Sequence, residues 1–192
     1  RWTAGGGMVG LGHLAGDNTG YAHGISADGS VIVGGSGFQA ARYAGGTVQG
    51  LGYLTGGSYS EAYAVSGDGS TIVGYGDSTL GYQAFRWTSG GGMQGLGIVA
   101  GGTQSSARAV SADGSIVVGY NIFGSEDSSY GEAYVWDAVN GMQNLQAVLQ
   151  AQGADLTGWS RLGVANGISA DGAKIAGVGT YNGVNQAILA QL

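Results

Sequence analysis

Four aspartates recur in one setting. Asp28, Asp68, Asp113 and Asp171 are each followed by glycine and stand two residues after a serine. Acidic residues returning at equal places suggest calcium, but one carboxylate per copy is far short of the roughly six to eight oxygens that calcium takes. Turn chemistry accounts for them better: an Asp side chain bonds nearby amides, and the following Gly takes positive φ. The only histidines are His13 and His23 and cysteine is absent, so no metal site is expected. Gly5–Gly10 and Gly90–Gly95 both match GxGxxG. Neither opens a helix after a strand, so no nucleotide and no cofactor is expected. The nucleophile-elbow motif GxSxG is absent. Carboxylates outside the turns are Asp17, Glu61, Asp77, Glu126, Asp127, Glu132, Asp137 and Asp155. Several fall in or beside variable loops, where a glycosidase-like pair could form. A solvated loop face explains them more simply.

The elements that carry these residues are repeated. AYAVSGDGSTIVGYG from Ala62 reads as a tight β-hairpin, with β-branched Val65, Ile72 and Val73 in the strands and Asp68-Gly69 at the turn. Its counterparts begin at Ala22, Ala107 and Ala165. A second pair of short runs follows each hairpin, as in Tyr82–Thr88 and Met93–Val99. One period is therefore four strands, A to D. The turn aspartates are 40, 45 and 58 residues apart, so the length variation sits in the B–C and D–A loops. In the longest of these, Leu145, Val148, Leu149 and Gln152 follow helical spacing and predict a short helix near 145–152.

Composition narrows the class. The chain has 192 residues, 43 of them glycine, with no proline and no cysteine. The glycines recur at turns and strand ends, which argues against disorder or collagen. A formal charge of −6 with a single lysine, Lys174, argues against nucleic acid and anionic membrane as partners. No apolar run reaches the ~18 residues of a spanning helix. The chain starts at Arg1 inside a repeat, which reads as a mature or excised fragment.

Four antiparallel strands per period of this length make the blade of a β-propeller. The expected fold is all-β: a single domain over 1–192, four four-stranded blades, with repeats near 20–57, 60–102, 105–153 and 160–192 and a partial unit at 1–16. The last unit lacks strand D and the first residues supply one at Met8–Leu14, so the N-terminal strand is expected to close the ring. A β-helix or solenoid passenger is the alternative. Trp2, Tyr43, Trp87 and Trp136 share one C-strand position and read as inter-blade packing.

The Ser-x-Asp-Gly hairpin followed by a Trp-containing strand resembles TolB-type propeller blades. Gln83-Ala84-Phe85-Arg86-Trp87, with Gln39–Tyr43, Glu132–Trp136 and Gln186–Ile188, is similar to the signature strand of the HAF family of bacterial extracellular repeats, with Gln or Glu in place of that family's histidine. Asp155–Trp159 ahead of Asn166–Gly172 resembles the final repeat of such proteins, which often precedes an autotransporter barrel. The resemblance implies a secreted or surface-displayed bacterial passenger and transfers no catalytic residue.

One strand-A position varies while its neighbours stay small or apolar: His23, Tyr63, Arg108 and Asn166. Strand A is innermost in a propeller, so these four are expected to ring the channel mouth and face water or a ligand. Tyr59, Glu126, Asp127, Tyr130 and Trp159 belong to the loops at that end. The expected function is non-catalytic binding or display, with a carbohydrate or surface ligand as partner and the isolated domain a monomer. A glycan-active hydrolase or lyase using loop carboxylates, and a structural spacer, are the alternatives.

Overall fold

The computed structural model describes residues 1–124 and 130–192. Among the described residues the polypeptide is all-β apart from one helix. A two-stranded hairpin, β1 (Trp2–Thr3) and β2 (Gly7–Met8), precedes three four-stranded antiparallel sheets. The first sheet holds β3 (Gly20–Ile25), β4 (Val31–Ser36), β5 (Gln39–Ala44) and β6 (Thr47–Gly50). The second holds β7 (Ser60–Val65), β8 (Thr71–Gly76), β9 (Gln83–Thr88) and β10 (Gly92–Gly97). The third holds β11 (Gln104–Val110), β12 (Val117–Phe123), β13 (Tyr130–Asp137) and β14 (Gly141–Asn144). A last, three-stranded sheet holds β15 (Trp159–Ile168), β16 (Lys174–Tyr181) and β17 (Val184–Gln191). In every sheet the strands lie side by side in chain order, as the four-strand period predicts.

The turns are built as their residues dictate. In the second blade Ser66 Oγ donates to Asp68 Oδ1 at 2.6 Å, and Asp68 Oδ1 accepts from the Ser70 amide at 2.9 Å. Ser66 Oγ in turn accepts from Thr71 N at 3.0 Å, while Gly69, at φ 76°, donates its amide to Ser66 O. The same bonds recur at Asp28, Asp113 and Asp171. These donors hold Asp28 and Asp113 down at about 2 and lower Asp68 and Asp171 as well. A lowered folded-state value means the turns contribute fully above the ordinary 3.8 and lose that contribution as pH falls toward 2. Among the described residues no cluster of three or more acidic or histidine side chains could hold a metal. Asp68→Ala removes the acceptor of three bonds and is expected to lower stability by about 0.5–2 kcal/mol. A denaturation series in which calcium protects wild type but not the variant would refute the turn assignment.

Stacking of the sheets makes the core. The A strands β3, β7, β11 and β15 touch one another in sequence, and β7, β11 and β15 each pack on the B strand of the blade before. Every junction centres on a pair of small residues, one from a C strand and one from the next A strand: Ala40 with Ala62, Ala84 with Ala107, Ala133 with Ala165. Serines button the first two junctions. Ser60 Oγ accepts from Ala40 N and donates to Gly52 O, and Ser105 Oγ does the same with Ala84 N and Gly97 O. Of the recurring aromatics, Tyr43 and Trp87 in the first and second blades are buried, Trp136 in the third is half-buried, and Trp2 is exposed.

The helix falls where spacing places it, at α1 (Leu145–Ala151). Asn144 caps it by accepting from Ala147 N, and buried Leu145 and Leu149 join the core between the third and last blades. No helix among the described residues is long and apolar enough to cross a membrane.

Closure of the ring by Met8–Leu14 is not what the structure shows. β2 covers only Gly7–Met8 and, among the described residues, pairs with β1 alone, as β17 does with β16. Residues 1–14 instead lie against the first blade, where Leu14 N donates to Ser36 Oγ at 2.9 Å and Gly12 approaches Val48. They occupy the outer half of a preceding blade, because the Leu14 segment repeats the Leu54 segment and packs as that one does.

Candidate functional site

The variable strand-A position is a β-bulge in all four blades. Register shifts fall between Ala22 and Gly24, Ala62 and Ala64, Ala107 and Ala109, and Ala165 and Gly167, leaving His23, Tyr63, Arg108 and Asn166 as the extra residues. A bulge frees one residue from the ladder and re-aims its side chain. The partner strand must make room for it. Opposite the bulges lie Gly34, Gly74, Gly119 and Gly177, where an added Cβ would stand about 2 Å from a strand-A carbonyl oxygen, that of Tyr21, Glu61, Ser106 and Val164 respectively. The repeated glycine inside strand B is thus the counterpart of the variable residue across from it.

Three of the four bulge residues meet. The His23 and Tyr63 ring centroids are 5.4 Å apart, and the Arg108 guanidinium lies 4.6 Å from the Tyr63 ring centroid. Arg108 also lies 5.2 Å from the Tyr120 ring and donates from Nη2 to its hydroxyl at 3.3 Å, so the cation is held between two tyrosines. Tyr63 stacks on Tyr75 at 5.5 Å with rings 11° apart, and Tyr75 contacts Tyr59 and Tyr82. At the far side His23 Nε2 lies 2.9 Å from Glu61 Oε1, while Tyr59 donates to Glu61 Oε2 at 3.3 Å. Five tyrosines, one arginine, one histidine and one carboxylate therefore form a continuous cluster across three blades.

Beside the stack is a cleft of about 120 Å³ lined by Tyr63, Tyr75, Tyr82, Ser106, Tyr120 and Ile122, among others. It is small, with room for water or for a small polar group of a ligand. The hydroxyl of Ser106 is buried without a partner among the described residues, and so is Nε of Arg108. The tyrosine faces are already engaged by each other and by Arg108, so the cluster offers hydroxyls and a cation more than open stacking surface.

Burial, with the neighbouring Tyr75 second, pushes the Tyr63 hydroxyl up to about 12; burial, then the bond to Tyr59, does the same for Tyr75. Their ordinary value is 10.0. Groups raised in the folded state contribute fully below the unfolded value and lose that contribution as pH climbs through the folded one. Melting temperature is accordingly expected to hold up to pH 10 and to fall between 10 and 12, less steeply for Tyr63→Phe. Identical alkaline profiles for the two proteins would refute the coupling.

The remaining expected site residues divide. Tyr59 belongs to the cluster, but Asn166 is exposed on β15 and, among the described residues, makes no hydrogen bond or ring contact with it. Trp159 packs on Tyr181 in the last blade, at 5.1 Å, and lines a separate apolar cleft with Leu149 and Leu156. Glu126 and Asp127 lie outside the described residues; Tyr130 opens β13, with its side chain outside them. Sequence reasoning passed over Tyr75, Tyr82 and Ser106, placed Tyr120 only among the residues of the variable-loop face, and named Glu61 only among the carboxylates beside the loops. A signal existed for two of these: the residue after each strand-B glycine reads Gly35, Tyr75, Tyr120 and Val178, a second variable position beside the first. The other loop carboxylates are engaged locally, Asp17 by Ser36, Asp77 by the Ser58 and Tyr59 amides, Asp137 by Asn140 and Glu132 by Asn144.

No protein-family model matches the sequence, and no curated protein matches it. Among solved structures the chain is similar to TolB from Acinetobacter baumannii, with a TM-score of 0.58 and 16% identity over 94% of this chain. That overlap spans 42% of the TolB chain, so the present blades correspond to less than half of it. The likeness supports the propeller-type blade pattern.

Proposed function

We propose that the protein is a non-catalytic binding module whose ligand inserts an acidic or hydroxyl-bearing group into the tyrosine-lined cleft. The observation that carries this reading is Arg108, fixed between Tyr63 and Tyr120 beside a cleft wall where the Ser106 hydroxyl is, among the described residues, unpartnered. A planar cation held by two rings is pre-organised for a carboxylate or a sugar hydroxyl pair, because little rotamer freedom remains to be lost on binding. The loops that frame the cleft are the ones that vary between repeats, and recognition residues gather on such loops. The resemblance of Gln83–Trp87 to HAF-type strands favours a secreted or surface-displayed bacterial setting, and the tyrosine hydroxyls with the fixed cation favour carbohydrate as the ligand class.

Catalysis is disfavoured by the state of the carboxylates. Glu61 is the only one in the described cluster and is shared by His23 and Tyr59, whereas glycoside hydrolysis by the usual route needs a pair roughly 5–10 Å apart. The test is a glycan and glycopeptide array probed with the purified protein and scored for binding and turnover. Retention of uronic or sialic acid glycans without turnover is the expected result. Product release would favour a hydrolase, and a blank array would favour a spacer.

A further inference from the structure

We infer that the group admitted by the tyrosine cleft is a carboxylate, and that Ser106 is the residue whose shortness admits it. The inference rests on reading the cleft as a binding site and narrows what enters it. The cleft repeats a slot one blade earlier, and the chain fills that slot with a carboxylate of its own.

Aligned on the turn serines, one strand-A position reads Tyr21, Glu61, Ser106 and Val164. In the second blade that residue, Glu61, is only 8% exposed and lies against Gly35 of the blade before. A Cβ on Gly35 would stand 2.6 and 2.7 Å from its two carboxylate oxygens. Two side chains hold the carboxylate. His23 Nε2 lies 2.9 Å from Oε1, and the Tyr59 hydroxyl donates to Oε2 at 3.3 Å. One blade on, each member of that slot has a counterpart in the cleft wall. Ser106 replaces Glu61, Tyr63 replaces His23, Gln104 replaces Tyr59 and Tyr75 replaces Gly35. The backbone frames agree, since Ser60 N donates to Phe38 O as Ser105 N donates to Tyr82 O.

What differs between the two slots is the acid. Serine stands in place of glutamate, while the two partner positions still carry donors, a phenol and an amide. Tyr75 takes part of the space, yet a cleft of about 120 Å³ stays open. The Ser106 hydroxyl in its wall is buried with no partner among the described residues. Positive charge is also at hand, because Tyr63 and Tyr120, two walls of the cleft, are the rings that hold Arg108. A negatively charged, acceptor-only group satisfies these donors and the cation together, whereas a sugar hydroxyl brings no charge. At the junction of the third and last blades the position is Val164, whose side chain has no polar atom to offer. The tyrosine cleft thus receives from outside, as the carboxylate of a uronic acid, what Glu61 supplies from within.

Titration of the full chain with sodium glucuronate and with glucose, followed by amide NMR shifts, tests this. Glucuronate is expected to shift the amides of Ser105, Ser106 and Tyr120. It should bind at least about 10-fold more tightly than glucose, the effect of one charge-assisted hydrogen bond. Ser106→Glu supplies a tethered carboxylate and should lose the glucuronate response. Ser106→Ala removes one donor without filling the cleft, so its affinity should fall between those of wild type and Ser106→Glu. Should Ser106→Glu not fold, wild type and Ser106→Ala decide alone. The carboxylate assignment is overturned by equal binding of glucuronate and glucose, by shifts confined to another surface, or by a wild type that ignores glucuronate at every concentration. A response that Ser106→Glu leaves intact, or equal affinity in wild type and Ser106→Ala, overturns it too. Failure of the wider reading looks different. A blank glycan array beside a protein that still binds glucuronate removes the glycan and keeps the slot. Neutral glycans retained through Arg108 by a protein that ignores glucuronate keep the binding module and remove the carboxylate.

Discussion

Gly74→Ala is expected to cost at least about 3 kcal/mol, although it adds one methyl group. The new Cβ would stand 1.9 Å from Glu61 O and 2.9 Å from Ala62 Cα, both backbone atoms that no rotamer change can move aside. Relief requires opening the β7–β8 ladder or removing the bulge at Tyr63. For a domain of this size the loss corresponds to a fall in melting temperature of roughly 6–12 °C. Removing the bulge has a further result. A one-residue slip sends the side chains of a strand to the opposite face, so Tyr63 would leave Arg108 and Tyr75, and ligand binding would go with it. Gly167→Ala is the control, since nothing lies within 4 Å of its added Cβ. It should be neutral or slightly stabilising, because alanine restricts the unfolded chain. Equal melting temperatures for Gly74→Ala and wild type would refute the steric origin of the strand-B glycine.

Arg108→Ala is expected to weaken ligand binding about 10- to 100-fold, the consequence of losing one charge-assisted hydrogen-bonding partner worth roughly 1.5–3 kcal/mol. Its effect on stability should be smaller, about 1 kcal/mol, from the lost contacts with Tyr63 and Tyr120. Arg108→Lys keeps the charge but not the planar group that two rings can hold, so it should recover only part of the affinity. Titration calorimetry with the glycan retained on the array separates these outcomes. Changes at Thr47 and Ala138, in or beside C–D turns at the other end of the blades, should leave affinity untouched. A ligand whose affinity responds to Thr47 or Ala138 and ignores Arg108 would move the site to the opposite face.

Much of this molecule was legible in local sequence. The Ser-x-Asp-Gly turns, the four-strand period and the helix at Leu145–Ala151 each follow from residues within a few positions of one another. Local hydrogen bonds and φ preferences suffice to specify them. The variable residues His23, Tyr63 and Arg108 were visible for a related reason: a polar side chain inside a fixed apolar run marks a position released from the core. What the sequence could not state is that the release is a bulge. That depends on a glycine eleven residues away on the partner strand, and its meaning appears only when the strands pair in register. The gathering of Tyr59, Tyr75, Tyr82 and Tyr120 beside Arg108 is likewise tertiary, since these residues come from two blades that pack through the cluster of Ala84 and Ala107. Strand inventory suggested a closed ring because the missing and surplus strands balance, but counting strands fixes no distances. How each blade seats on the last is decided by the small residues and serine bonds between them, which come from different repeats.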